Sequence, residues 1–357
     1  MFPFPAVLQW EAYAVILQDE EQEMVSVGVI GSGAWGTTLA LMLARKGSEI
    51  SLWEHRPERA IQMQQQRANT FFLPGYRFPS ALHVTSDIEE VTQNKDILLL
   101  VTPSQRMREN VRLLAPYIER ETLLVSASKG IEIDSLKRMT EIVCECIPSA
   151  RSRVAALSGP NISREVAEEK PTAAVVAAYE QETAVRLRSI LSTAHYRIYT
   201  ADDVIGVELG GALKNIIAIG AGFNDGMGYG DNAKAAFVTR GLAEIARLGV
   251  AAGANPLTFS GLAGMGDLIA TCASSLSRNH ELGRRLAAGE KLEEIVASTR
   301  TVAEGISTTR AALQMAARYH VEMPITQQLS LVLFEGHDPR GAVPELMTRD
   351  LKGELDP

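Results

Sequence analysis

The residue with the most chemical capacity in this chain is a lysine set in an apolar run. Lys214 and Asn215 lie in the middle of Leu209-Gly-Gly-Ala-Leu-Lys-Asn-Ile-Ile-Ala-Ile-Gly-Ala-Gly222, which has helical periodicity. A lysine is rarely buried without a partner. Burial favours its neutral form, and a second cation nearby, such as Lys129, would lower its pKa further. That suits general acid–base work near neutral pH. The alternative is an amphipathic helix whose lysine extends to water. Asp267 and Thr271 in Gly264-Met-Gly-Asp-Leu-Ile-Ala-Thr271 stand four apart, on one face of a helix. Asp267 could hold an ammonium or a substrate hydroxyl, or cap a helix from Leu268 onward. Ser277-Arg278-Asn279 opens the next helix. A guanidinium, an amide and first-turn N–H groups together suit a phosphate, against a simple capped helix with a surface arginine.

These side chains need a frame. Val25-Ser-Val-Gly-Val-Ile-Gly-Ser-Gly-Ala-Trp-Gly36 reads as a strand, a glycine turn and the start of a helix, with Gly31, Gly33 and Gly36 in G-x-G-x-x-G spacing. Gly31 permits the tight turn, Gly33 lets backbone approach a pyrophosphate, and Gly36 lets the helix pack on the strand. A second strand, Glu49–Trp53, follows and ends in Glu54-His55-Arg56. An acidic residue there suits the 2′-hydroxyl of NAD, and a cation suits the 2′-phosphate of NADP. The expected cofactor is NADP or NAD, with the His55/Arg56 pair leaning towards NADP.

Further β-rich runs at Leu82–Thr85, Asp96–Val101, Thr122–Ala127, Arg153–Leu157, Thr172–Ala177 and Tyr196–Tyr199 alternate with helical segments. The pattern predicts an α/β fold: an N-terminal Rossmann-type doubly wound sheet over 25–203, then an all-helical C-terminal domain over 204–351. Expected helices include Ile61–Arg67, Ala233–Ala252, Ser277–Ala288, Leu292–Val296, Ile306–His320 and Thr326–Glu335. Residues 1–24 read as a poorly ordered extension and 352–357 as a frayed tail. Ligands of open α/β sheets bind beyond the carboxyl ends of the strands. Ser128-Lys129-Gly130 and Ser158-Gly159-Pro160-Asn161 belong there, and the Asn161 amide can both donate and accept.

The chain has 357 residues, 46% hydrophobic and 22% charged, enough for about two packed domains. A net charge of −8 argues against nucleic acid or a polybasic membrane surface as partner. No segment reads as a bilayer span, so stable membrane insertion is not expected. Cys144, Cys146 and Cys272 have no metal-ligand spacing, which favours reduced thiols, no metal and a cytoplasmic setting.

In order along the chain, Gly31-Ser-Gly-Ala-Trp-Gly36, Leu52-Trp-Glu-His55, Ser128-Lys-Gly130, Ser158-Gly-Pro160, Val207–Gly222, Thr239-Arg-Gly-Leu-Ala-Glu244, Gly264-Met-Gly-Asp267, Ser277-Arg-Asn279, Val302-Ala-Glu-Gly305 and Met323-Pro-Ile-Thr326 closely resemble the NAD(P)-dependent glycerol-3-phosphate dehydrogenases. The resemblance runs from Val25 to about Leu351. It implies reversible reduction of dihydroxyacetone phosphate to sn-glycerol 3-phosphate, as supply for phospholipid synthesis. It further implies that Lys214 exchanges a proton with the C2 oxygen, that Lys129 polarises that oxygen while touching substrate and cofactor, and that Asp267 orients Lys214 or a substrate hydroxyl. Gly159, Asn161, Asn215, Thr271 and Ser277 would line the substrate, and Arg278 with Asn279 would clamp its phosphate. Gly31, Gly33, Ala34, Trp35, Gly36, His55, Arg56, Lys129, Ser163, Arg278, Val302 and Glu304 would contact the cofactor. The loop Asn161-Ile-Ser163 departs from the family, where Thr or Ser and then Phe-Ala are common. A small phosphorylated substrate and a second copy of the chain are the expected partners. Competing readings are a β-hydroxyacid or ketopantoate-type reductase and a non-enzymatic NAD(P) sensor.

Overall fold

The computed structural model describes residues 24–299, 303–348, 350 and 353. The extension up to Glu23, Val302 and all of the tail except Gly353 therefore lie outside the described residues.

Eight strands form one sheet: β1 Ser26–Ile30, β2 Glu49–Trp53, β3 Leu82–Thr85, β4 Ile97–Leu100, β5 Leu123–Ser126, β6 Val154–Ser158, β7 Thr172–Ala178 and β8 Tyr196–Ala201, in the order β3-β2-β1-β4-β5-β6-β7-β8. β4 is buried along its length, with Ile97, Leu98 and Leu99 at 0% exposure, because helices cover both faces of the sheet. The strand order reverses direction between β1 and β4, and the crevice beyond their carboxyl ends is the ligand edge of such a sheet. The turn from β1 into the helix Ala34–Lys46 opens onto that edge. Its packing requires glycine: a Cβ on Gly36 would lie 1.9 Å from the Gly31 carbonyl oxygen, and Gly31 itself has φ +118°.

The sheet is not wound in one direction throughout. β7 runs antiparallel to β6, and β8 parallel to β7. Nothing in the apolar runs of β7 and β8 signals their direction. The connection from Ser158 to Thr172 accordingly stays at the carboxyl edge of β6, and Tyr196, the first residue of β8, is paired with Thr172 at that same edge.

No strand follows β8 among the described residues. The helical half is organised on one core helix, Val204–Met227. It starts at Asp203, whose carboxylate accepts from Gly206 N at 2.9 Å, and it stops at Gly228 in the left-handed region. The helices Asp231–Ala251, Arg278–Ala287 and Glu304–Tyr319 pack around it. A π turn, Leu262–Gly266, runs directly into the short helix Asp267–Ala273, which lies along it too. Most observed helices start a few residues before the periodic runs, and several end one residue before them. The helix expected at Ile61–Arg67 starts at Pro57, whose fixed φ suits a first helical position. The helix Pro339–Met347 was not anticipated.

One expectation needs correcting. The core helix, at 24 residues with a mean hydropathy of 1.5 over its most apolar window, is long and apolar enough to cross a bilayer. Some 94% of that window is buried inside the protein, so its apolarity serves the domain core.

Among the described residues, the carboxylates of Glu208 and Glu304 each tie the halves together. Glu208 on the core helix accepts from Thr140 N at 2.8 Å and Thr140 Oγ1 at 2.6 Å, and pairs with the buried Arg138. Glu304 on the helical side accepts from Ser104 beyond β4, from N at 3.1 Å and from Oγ at 2.5 Å. Removing one partner of a buried ion pair leaves the other charge uncompensated, at a cost of about 3–5 kcal/mol. Glu208→Ala is therefore expected to lower unfolding stability by about that amount in a urea titration. An unchanged midpoint would show that the tie contributes nothing.

Candidate active site

The crevice between the carboxyl edge of the sheet and the core helix gathers polar groups from four segments. Lys214 projects from the core helix and is 7% exposed. Its Nζ donates to Asp267 Oδ1 at 2.5 Å and to Thr271 Oγ1 at 2.5 Å. Asp267 is 1% exposed, and its second oxygen, Oδ2, accepts from Lys129 Nζ at 2.6 Å. Lys129 Nζ also donates to the Gly159 carbonyl at 2.9 Å, which fixes the loop after β6. Two ammonium groups thus share one carboxylate.

Local sequence makes this approach possible. A Cβ on Gly211 would lie 2.5 Å from Ser158 Oγ, so glycine lets the core helix press on the end of β6. Asp267 and Thr271 point the same way because they are one helical turn apart. Burial depresses the Lys214 pKa to about 8; Lys129 pushes it in the same direction, and Asp267 opposes both. The lysine does not extend to water.

Asn215, one residue on, enters an amide chain. Asn279 Nδ2 donates to Asn215 Oδ1 at 2.9 Å, and Asn279 Oδ1 accepts from Gly305 N at 3.0 Å. The Asn279 side chain is thereby committed to joining three helices, while Asn215 Nδ2 makes no bond among the described residues. Ser277 caps the helix Arg278–Ala287 by accepting from His280 N at 3.3 Å. Arg278 beside it forms no ion pair or hydrogen bond among the described residues, and keeps solvent access. Desolvation by the crevice wall lowers its pKa, against the pull of Glu304. An unpaired guanidinium above first-turn N–H groups can take a dianionic phosphate.

On the dinucleotide side, Gly33 begins the helix Ala34–Lys46 with no side-chain cap and no acidic residue in the first turn. Its N–H groups and the positive end of its dipole are left for an anion. The indole Nε1 of Trp35 is buried without a partner among the described residues. Ser163 lies alongside, its carbonyl accepting from Thr38 Oγ1 at 3.1 Å. Glu54 does not face the crevice as a free ribose acceptor. It is 1% exposed and accepts from Ser32 Oγ at 2.5 Å and Arg56 Nε at 3.0 Å, with Arg59 Nε at 3.4 Å. Burial opposes its ionisation, but the bonds from Ser32 and Arg56 and the charge of Arg59 outweigh it and hold the carboxyl below its usual range. His55 and Arg56 are exposed. Glu304 is engaged with Ser104, and burial raises its pKa.

Several participants escape sequence reasoning. Arg59 lies over Phe71 and Phe72 at 4.6 and 4.3 Å from the ring centroids. Asn69 Nδ2 donates to Ser32 O and Thr37 Oγ1, both at 2.8 Å, and so shapes the glycine turn. Tyr196 carries no signal of its own.

A glycine turn at the switch point of a Rossmann sheet, facing a buried lysine–carboxylate cluster on a helical domain, defines the class of two-domain nucleotide-dependent dehydrogenases. The models of the NAD-dependent glycerol-3-phosphate dehydrogenase N-terminus and C-terminus match residues 26–184 and 203–344. A glycerol-3-phosphate dehydrogenase (NAD(P)+) of Syntrophotalea carbinolica is 48% identical over 93% of this chain and all of its own length. One of Geobacter metallireducens is 49% identical over 92% of this chain and 98% of its own. The crystal structure of glycerol-3-phosphate dehydrogenase from Coxiella burnetii superposes with a TM-score of 0.87 at 36% identity, covering 91% of this chain and 99% of that one. This chain belongs to the NAD-dependent glycerol-3-phosphate dehydrogenase family. A ketopantoate reductase from Ralstonia eutropha, at 17% identity and a TM-score of 0.55, shares the fold alone.

Asp267 supplies the attraction that keeps Lys214 from falling further below the normal amine range. Asp267→Asn should therefore move the Lys214 titration down from about 8, read by NMR of the carbon-13 dimethylated lysine. A titration that stays in place would refute this electrostatic account.

Proposed function

We propose that this protein catalyses the reversible NAD(P)-dependent reduction of dihydroxyacetone phosphate to sn-glycerol 3-phosphate, supplying phospholipid synthesis. The observation that carries the proposal is the buried cluster in which Lys214 and Lys129 share Asp267, at 2.5 and 2.6 Å, beside the glycine turn. The turn fits a dinucleotide: Gly31, Gly33, Ala34, Trp35 and Gly36 hold the pyrophosphate at an uncapped helix start, and Ser163 and Glu304 line the remainder. Bound nicotinamide supplies the hydride to C2 of the ketone. The chain supplies the rest. Lys214, as ammonium, donates a proton to the C2 oxygen. Lys129 and the excess positive charge of the cluster stabilise the developing alkoxide. Arg278 with the Ser277–Asn279 helix start clamps the phosphate, so binding energy remote from C2 holds the carbonyl at attack distance. Gly159, Asn161, Asn215 and Thr271 line the three-carbon skeleton.

We assign dinucleotide binding to residues 25–203 and substrate binding to 204–351. NADP is the preferred cofactor in this reading. Glu54 is sequestered by Ser32 and Arg59, whereas His55 and Arg56 are exposed where a 2′-phosphate would sit. The free thiols of Cys144, Cys146 and Cys272 suit a cytoplasmic setting. Exposed apolar side chains at Met265, Ile269 and Leu276 support a homodimer.

With dihydroxyacetone phosphate as substrate, initial rates should show oxidation of both NADPH and NADH, with the higher kcat/KM for NADPH. No turnover with either cofactor would sink the proposal, and a preference for NADH would overturn the reading of His55 and Arg56.

Lys214→Ala should lower kcat by about three orders of magnitude or more while leaving the cofactor Kd unchanged. Ketone reduction needs the ammonium, so its rate should fall as pH rises through about 8, and the variant should lose that inflection. Wild-type kcat in the variant would exclude Lys214 as the proton donor.

A further inference from the structure

The reversal of β7 and β8 brings to the ligand edge a residue with no part in the reaction as proposed. Tyr196 is 1% exposed, and its hydroxyl donates to Asn161 Oδ1 at 3.1 Å. Its ring lies 6.4 Å from that of Trp35, tilted by 57°, so the phenol is seated against the glycine turn. Its backbone is fixed as well, since Tyr196 N donates to Thr193 Oγ1 at 3.0 Å. Burial, then the nearby Asp267 charge, pushes the phenol far above its usual pKa, so it stays a donor at any physiological pH.

A carboxamide whose oxygen is turned towards the phenol presents its N–H groups on the opposite side. Asn161 Nδ2 is buried and has no partner among the described residues. An unmet buried donor is unfavourable until an acceptor arrives. Two residues earlier, the Gly159 carbonyl is held by Lys129 at 2.9 Å. The loop after β6 is thus fixed at both ends, by Lys129 and by Tyr196. Without the phenol, the amide could turn over and present Oδ1 to the oxygens of a bound substrate, which would repel them.

We propose that Tyr196 is a positioning residue: it fixes the Asn161 carboxamide so that Nδ2 donates to an acceptor oxygen of the phosphorylated ketone. This rests on the reading above that Asn161 lines the substrate. It makes Tyr196 and Asn161 a functional pair at a loop whose sequence departs from the common family pattern.

The test is steady-state kinetics of the full chain with dihydroxyacetone phosphate and NADPH, with NADPH Kd from fluorescence titration, for the wild type, Tyr196→Phe, Asn161→Ala and the double variant. Turnover by the wild type is read first. Its absence would overturn the proposed reaction, and this inference with it. Given wild-type turnover, Tyr196→Phe should raise KM for the ketone about five- to tenfold, with kcat within about twofold and NADPH Kd unchanged. Asn161→Ala should raise KM at least as much, and the double variant should match Asn161→Ala alone. Multiplying effects, an unchanged KM in Tyr196→Phe, or a shift in NADPH Kd in place of KM would each overturn the assignment. Asn161→Asp keeps an acceptor for the phenol but removes the donor. It should lose ketone affinity, and a wild-type KM there would overturn the proposal even if Tyr196→Phe failed to fold.

Discussion

Two ammonium groups on one buried carboxylate is the arrangement on which the rest of this structure depends. A buried ammonium is costly unless it is paired, and a pair alone would be neutral. Here Asp267 meets Lys214 and Lys129 at once, so the cluster keeps a surplus of positive charge away from bulk water. Such a site is incomplete without an anion or an electron-rich oxygen. Burial, with the neighbouring Lys129 charge acting in the same direction, brings the Lys214 pKa down to about 8. Its three members come from the two halves of the molecule, Lys129 from beyond β5 and Lys214 and Asp267 from the helices. Any motion of one half against the other is therefore felt directly by the Lys214 ammonium.

The other polar ties read as supports for that geometry. Glu208 with Arg138 and Thr140, and Glu304 with Ser104, each span the two halves through buried or half-buried carboxylates. Asn215, Asn279 and the Gly305 backbone knit three helices behind the lysine. The core helix that bears Lys214 is held from several sides, and its glycines let neighbouring backbones come close enough to do so. The cost of a small residue in a helix is offset by contacts a larger one would forbid.

Much of this was legible in the sequence, for identifiable reasons. Strand runs such as Asp96–Val101 are continuous and apolar because both faces of the sheet are covered. The glycine turn is legible because steric demands at Gly31 and Gly36 leave few alternatives. Lys214 and Asp267 stand out as charged residues in apolar surroundings, and the structure brings them together with Lys129, Thr271 and Gly159. What was hidden depends on distant partners. Glu54 reads as a ribose acceptor until Ser32 and Arg59 are seen to enclose it. Asn279 reads as a phosphate ligand, yet its side chain is taken by Asn215 and Gly305. The direction of β7 leaves no mark on its own residues, so the arrival of Tyr196 at the ligand edge follows only from topology.

The apolar core helix has a consequence for the chain before it folds. As it leaves the ribosome, Val204–Met227 is chemically close to a segment that the secretion machinery would insert into a bilayer. Glu208 and Lys214 lie within it, and a charged residue near the centre of an inserted helix is penalised by about 2.5–3.5 kcal/mol. The lysine that anchors the buried cluster of the folded protein is thus also an address label on the nascent chain, one that biases this stretch towards water and its own domain.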